Sequence, residues 1–422
     1  MQEVVVFNNA VIVCGDFALP WNYFFNAATM FNAYIGCIAD EALKGVSNST
    51  HPEECDLACK RMDRIGEGLA RVVEITASIL ERQQNSPAKS FYDAIRGHRN
   101  TQATDPLDKI YAFLGLADAT HTEVESLPID YTLSPSELFR TYIQLHLRAH
   151  KSLEFLRDCC GPSVPADFSS WMPHPHPKDR LFGTPFQILG YAPKIVYRAA
   201  TQKEATFEIK ESGRVLVVEG IYLDDVTVTG AVHDLRPGEM LGHVEYNPTN
   251  VERSWRALIG LEMLGSEEIS ESKIRDIGFY PVRKRIWNGE AYMRTICFNP
   301  DADMVTNFFD PTLGGLQTNN MKAHDLEQDP TDDAFLRVRQ GQTCSGRRFF
   351  VTKKGYYGVG PEETSAGDQV CVLFGTIAPF VFRPMGRQLA LVGESYLHGF
   401  MNGEAIVEME EGRLKSTKFA FR

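Results

Sequence analysis

The last quarter of the chain constrains the fold most. Arg348–Lys353, Tyr356–Val359, Gln369–Phe374, Phe380–Arg383 and Gln388–Tyr396 are short runs rich in β-branched and aromatic residues, separated by glycine or proline turns. Strands this short and this evenly spaced leave no room for crossover helices between them. They must pair with near neighbours, and the stable outcome is a small barrel or sandwich.

What precedes them reads differently. Leu57, Ile65, Leu69, Val72, Thr76 and Leu80 recur at steps of three and four, with Arg61, Arg64, Glu67, Arg71 and Glu74 mostly elsewhere, which predicts an amphipathic helix. Ser134-Pro135-Ser136-Glu137 predicts a helix start: a capping serine, a proline at the first helical position and a glutamate that completes a capping box. Leu138, Tyr142, Leu145 and Ala149 are expected on its inner face, with Arg140, Gln144, Arg148 and Lys151 opposite. Asp105-Pro106 should open a shorter helix that turns Ile110, Phe113 and Leu114 inward.

Between these regions lies a proline-rich stretch, Pro162 to Pro193, containing Trp171-Met172-Pro173-His174-Pro175-His176-Pro177. Proline at that density removes ladder donors, so an extended connector is expected, with Trp171 as its anchor between the two halves. Strand-like runs follow at Ala205–Lys210 and Arg214–Gly220, a helical one at Val251–Leu264, and a loop-like Asp301–Asp333. The expected class is α+β. A helical domain covers 1–160, the connector 161–200 and an α+β domain 201–422, whose end, about 343–422, is the small barrel or sandwich.

Charge and composition exclude several roles. Over 422 residues, 43 Lys and Arg face 55 Asp and Glu, a net charge of −12. An acidic surface disfavours nucleic acid and anionic lipid, and the one basic run, Val282-Arg283-Lys284-Arg285, reads as a solvated turn after Pro281. No apolar stretch approaches the roughly 18 residues of a spanning helix. Glu3 stands where a signal peptide would be basic, and the nine cysteines have no framework spacing, so reduced thiols and a cytoplasmic location are expected.

Chemistry is sparse. His51, Cys55 and Cys59 fall at four-residue steps, but Pro52 sits among them and no fourth ligand is evident, so no metal is expected. Vicinal Cys159-Cys160 reads as buried thiols. Gly355-Tyr356-Tyr357-Gly358-Val359-Gly360 has phosphate-loop spacing, yet a strand pattern follows it rather than a helix, so it reads as a hairpin turn with no cofactor. The acid/base candidates are His398, Glu394, Glu404 and Asp368, since a histidine among carboxylates can shuttle protons near neutrality. The plainer account gives them to turn closure and capping. No G-x-S-x-G, H-E-x-x-H or dinucleotide fingerprint occurs.

Four segments, in order, resemble the fungal heterokaryon-incompatibility (HET) family. Ala103-Thr104-Asp105-Pro106-Leu107-Asp108-Lys109-Ile110-Tyr111-Ala112-Phe113-Leu114-Gly115-Leu116 is similar to its "DPRDxIYALLGL" helix, and Ile129-Asp130-Tyr131 to the "DY" that follows. Ser170-Trp171-Met172-Pro173 is similar to the "SWVPDW" connector. Gly355 to Glu404, with Gly367-Asp368 and Val392-Gly393-Glu394-Ser395-Tyr396-Leu397-His398-Gly399-Phe400-Met401-Asn402-Gly403-Glu404, resembles its closing β region. Leu107, His174-Pro175 and Asn402 depart from the family's usual arginine, Asp-Trp and aspartate. The "SYxWG" and "WIDAxCINQ" motifs of the HET domain do not occur, and Met1-Gln2-Glu3-Val4 and Cys14-Gly15 resemble that domain's far edge. The resemblance implies self/non-self recognition between fused hyphae, ending in cell death, with the HET domain, distantly similar to TIR domains, as effector. This chain would then hold the recognition or regulatory part, non-catalytic and acting through protein partners. The alternative is an enzyme-like pocket protein, a cyclase or isomerase of secondary metabolism taking an apolar small molecule.

Overall fold

A computed structural model describes residues 10–30, 103–114, 126–159, 161, 165, 167–173, 197–233, 344 and 346–422, with single helical positions at 65, 68, 72, 75, 76, 91, 92, 95, 251, 254, 255, 258, 292, 295 and 296. The chain divides into two compact units. One is Met1–His150 with Pro175–Leu181 and Arg236–Tyr246; the other is Lys151–His174, Phe182–Leu235 and Asn247–Arg422.

The first unit is not helical throughout. It holds a hairpin, β1 (Val11–Cys14) against β2 (Phe17–Pro20), with Gly15 at φ +59° in the turn, and residues 21–30 are helical. The Asp105 turn differs from expectation. Asp105 Oδ1 accepts the Leu107 N–H at 2.9 Å within a turn, and the helix proper, α1 (Asp108–Tyr111), starts only afterwards. Ile110 and Phe113 are buried as expected, and Leu114 is half-buried.

Helix α2 (Pro135–His150) starts as its cap predicts. Ser134 N–H and Oγ–H donate to Glu137 Oε2 at 2.9 and 2.7 Å, and Glu137 N–H returns to Ser134 Oγ at 3.3 Å. Its buried stripe is rotated from the expected one: Leu138, Phe139, Tyr142, Ile143, His146 and Leu147 are buried, while Ala149 is exposed. His146 explains the shift, since its ring packs with Tyr92 at 5.1 Å and Tyr142 at 6.1 Å and so behaves as an aromatic.

The second unit is built on one strand. β4 (Val215–His233) has nineteen residues, about 60 Å if straight at ~3.3 Å each, and it bends through register shifts at Tyr222/Asp224, Val226/Val228 and Thr229/Val232. Its first half pairs β3 (Phe207–Lys210) on one side and β11 (Ser416–Phe421) on the other. It then pairs β7 (Gln369–Leu373) and finally β5 (Arg347–Thr352). β8 (Phe380–Met385) joins β7 to β9 (Gln388–Glu394), and β9 meets β11 in parallel. The order β4-β11-β9-β8-β7 thus returns to β4, a closed ring without free edges. β5 continues through β6 (Tyr357–Pro361) to β10 (Tyr396–Leu397) as a second leaf. The ring therefore reaches back to Val215, well before the expected 343, because β4 serves both ring and leaf.

Gly220 sits where that double duty is tightest, with Thr417 of β11 on one side and Leu373 of β7 on the other. A Cβ there would lie 2.4 Å from the Val372 carbonyl oxygen and 2.9 Å from Leu373 Cα, so only glycine allows the ring to close. Strand β5 shows why its run is apolar on both faces. Phe349 and Val351 pack with Trp255, Tyr292 and Ile296, and Phe350 packs on the opposite side with Ile221, Val372, Val381 and Val392. Helix α3 (Glu404–Glu410) contributes Ala405 and Ile406 to that second cluster.

Candidate functional site

The closing segment 393–404 is where the sequence concentrates its acid/base candidates. Gly393, at φ +146°, stands at the end of β9 beside the register shift of β8, and Ser395 crosses to the leaf with its N–H on the Pro379 carbonyl at 2.8 Å. The chain then enters β10, and His398 N–H closes on the Tyr357 carbonyl at 2.9 Å. Here the backbone changes from ring to leaf.

Glu394 pins that change. Its carboxylate is 2% exposed and takes Arg157 Nε at 2.9 Å on one oxygen and Arg347 Nη2 at 3.4 Å on the other. Arg347 Nη1 also donates to the Glu394 carbonyl at 3.0 Å. Arg157 belongs to a 3-10 turn, Glu154–Asp158, and Arg347 opens β5, so one carboxylate ties three elements together. Burial pushes the Arg347 guanidinium down to about 10 and the Arg157 charge adds to this, while Glu394 and Cys344 pull the other way.

Asp368 is held as firmly by another arginine. Arg383 Nε and Nη2 reach its two oxygens at 2.9 and 3.0 Å in a fork, Arg383 Nη2 also donates to the Glu363 carbonyl at 2.6 Å, and the Ser365 N–H adds 2.8 Å. His398 is 9% exposed, with Nδ1 3.4 Å from the Tyr396 hydroxyl and the two rings stacked at 6.5 Å. Glu404 Oε2 accepts the Asn402 N–H at 2.7 Å at the start of α3, after Gly403 in the left-handed region. Two of the four candidates are thus committed to arginines, and the other two to a tyrosine and a backbone cap. Arg157, Arg347 and Arg383 were not foreseen: arginines 237 and 47 residues from Glu394 carry no local signal.

The remaining motifs also resolve into contacts. Tyr111 Oη accepts the Asp130 N–H at 3.0 Å and shares its proton between the Pro128 and Asp130 carbonyls, at 3.2 and 3.1 Å, while Tyr131 Oη donates to Asp108 at 2.8 Å. The α1 segment and the Asp-Tyr after it are therefore two sides of one clasp. Trp171 is fully buried in the second unit, its ring 6.5 Å from Phe155 and its Nε1 donating to the Arg214 carbonyl at 3.2 Å. Ser170 Oγ bridges β9 and β11, accepting the Leu391 N–H at 2.9 Å and donating to the Arg422 carbonyl. The Gly355–Gly360 run is the β5–β6 hairpin, with Gly355 at φ +87°.

Among the described residues no group of three or more His, Cys, Asp or Glu could hold a metal, and no helix is long and apolar enough to cross a membrane. Cys371 is fully buried, and burial raises its thiol pKa, the reverse of what a nucleophile needs. Cys159 is half-buried, with Sγ 3.6 Å from the Phe155 carbonyl oxygen. His51, Cys55, Cys59, Cys160 and Val282–Arg285 lie outside the described residues.

Comparison with known proteins agrees with this architecture. Residues 316–414 match the Het-6 beta-barrel domain. That span holds β5 to β10 and α3, and the ring's other long staves, β4 and β11, flank it. A stretch of 63 residues is 40% identical to "Heterokaryon incompatibility protein 6, OR allele" of Neurospora crassa, covering 14% of this chain and 9% of that protein. No solved structure matches. The barrel is thus a recognised domain of this group, and the C-terminal region of the chain is that of a heterokaryon-incompatibility family protein.

Proposed function

We propose that this chain serves heterokaryon incompatibility as a recognition or regulatory component in the cytoplasm, acting through a protein partner rather than by catalysis. The observation that carries this reading is the state of the carboxylates. Glu394 and Asp368, the two most buried acids of the closing segment and its neighbour, have both oxygens engaged by arginines. A general acid or nucleophile must present an oxygen to a substrate, and these present theirs to the scaffold. The relative's printed name places it in the incompatibility system, which supports the same role here.

The test is direct. Purified chain is incubated with NAD, and the chain is separately expressed in fungal cells. The expected result is no NAD consumption and no death from this chain alone. NAD consumption or cell death abolished by His398→Ala, at an unchanged melting temperature, would overturn the non-catalytic reading.

A further inference from the structure

Three of the barrel unit's buried or half-buried arginines are satisfied by carboxylates: Arg157 and Arg347 by Glu394, and Arg383 by Asp368. Arg348 is not. It follows Arg347 on β5, so its side chain leaves the opposite face of the strand. Both of its hydrogen bonds come from Nη1, to Thr229 Oγ1 at 3.4 Å and to the Thr364 carbonyl at 3.3 Å. Its Nε is buried and has no acceptor, and it forms no ion pair among the described residues. Thr364 is fully buried, and its Oγ1 likewise has no hydrogen-bond partner.

These two groups are neighbours. Gly360 is the register partner of Arg348, and a Cβ on Gly360 would lie 2.6 Å from Thr364 Oγ1. Gly360 thus brings no side chain against Thr364, whose carbonyl in turn accepts from Arg348 Nη1. In the following turn, the Glu363 carboxylate lies 2.9 Å from where a Cβ of Gly161 would stand, and the Glu363 carbonyl is taken by Arg383.

We propose that Arg348 and Thr364 form a binding site for a small oxyanion, a carboxylate or a phosphoryl group. Arginine presents Nε–H and Nη2–H in parallel along one edge, matched to two oxygens of such a group. The bonds from Nη1 to Thr229 and Thr364 hold the guanidinium in place and leave that edge for the ligand. The Thr364 hydroxyl supplies a further donor, and Thr229, which accepts from Nη1, keeps its own proton to donate. A buried guanidinium N–H without an acceptor is costly, and an anion on this edge removes that cost. Arg348 as a whole is only half-buried, so the guanidinium that these bonds hold is not sealed in the core. The site does not depend on the regulatory reading above.

The experiment uses the full chain labelled with ¹⁵N-arginine. The Nε–H resonance of Arg348 is identified by its loss in Arg348→Lys. Sodium acetate and sodium phosphate are then titrated against sodium chloride at equal ionic strength. The expected result is a saturable shift of that resonance with acetate or phosphate and none with chloride; the tighter of the two says whether a carboxylate or a phosphoryl group is preferred. Thr364→Val should weaken binding about tenfold, some 1.4 kcal/mol. In parallel, the preferred anion should raise the melting temperature of the parent chain and not that of Arg348→Lys. A shift that chloride reproduces, or a thermal response that Arg348→Lys retains, would overturn the site.

Discussion

Glu394 and Asp368 are each 2% exposed and each held by arginine, but their surroundings differ. Glu394 faces two guanidiniums that are themselves 6% and 12% exposed, whereas the single partner of Asp368, Arg383, is 31% exposed. The difference lies in what remains when the carboxylate is removed. At Glu394 two positive charges would be left facing each other inside the protein. At Asp368 one charge would be left near water, which can solvate it. The same pairing of residue types is therefore a structural keystone in one place and a turn fastening in the other.

Glu394→Gln tests the keystone most severely. It keeps the shape and removes the charge, and breaking a buried pair from one side is expected to cost about 3–5 kcal/mol. The measurement is chemical denaturation with urea at neutral pH. A loss under about 1 kcal/mol would mean that Arg157 and Arg347 reach solvent without Glu394, and the contrast between the two sites would collapse.

Asp368→Asn should be milder. The amide oxygen can still accept one N–H from Arg383 or Ser365, and the guanidinium edge can hydrate, so about 1–3 kcal/mol is expected by the same urea measurement. A loss equal to that of Glu394→Gln would show that exposure of the arginine does not decide the cost.

These sites also mark how far the sequence could be read. Features set by residues within one turn were legible: the Ser134–Glu137 box, the hairpin glycine Gly355 and the short strands from β5 to β9. Features set by distant partners were not. The far half of β4 holds Asp224 and Asp225, which break the apolar pattern, and the strand is kept by pairing with β5 and β7 far along the chain. Strand β11 reads as Ser-Thr-Lys-Phe-Ala-Phe, with a weak signal that becomes a stave only because β4 and β9 flank it. The candidate site followed the same rule. The segment was visible in Val392–Glu404, but its meaning depended on Arg157 and Arg347, which local pattern cannot connect to it.

Alkaline pH sharpens the comparison from the arginine side. Burial raises Tyr357 to about 12, so between pH 10 and 12 the unfolded chain has lost that proton and the native state retains it. The native state then binds more protons, and stability falls as pH rises, by at most about 1.4 kcal/mol per pH unit for one group. Tyr222 and Cys371, both raised by burial, act in the same direction. Arg347, lowered to about 10, acts oppositely, because the unfolded chain keeps its proton longer and stability gains as pH rises. The expected outcome is a net loss above pH 10 that Tyr357→Phe makes shallower, read from urea midpoints at stepped pH. An unchanged slope in Tyr357→Phe would place the alkaline sensitivity elsewhere.

The smallest effect expected is at the start of α2, where the carboxylate of Glu137 is held by serine alone and lies in water. Its pKa is lowered first by the Ser134 backbone N–H and then by the Ser134 hydroxyl. A lowered carboxylate gives stability that is present above its unfolded pKa and lost as pH falls through the folded one. Acid should therefore loosen the first turn of α2. Ser134→Ala removes the cap hydroxyl and should cost about 1 kcal/mol at neutral pH. The first turn's amide protons would then exchange faster, with the exchange of the β4–β11 ladder unchanged, because the contacts that hold that ladder lie in the second unit. Equal acceleration in both places would show that the cap supports more than its own helix, and the distinction between a local fastening and a long-range keystone would need to be redrawn.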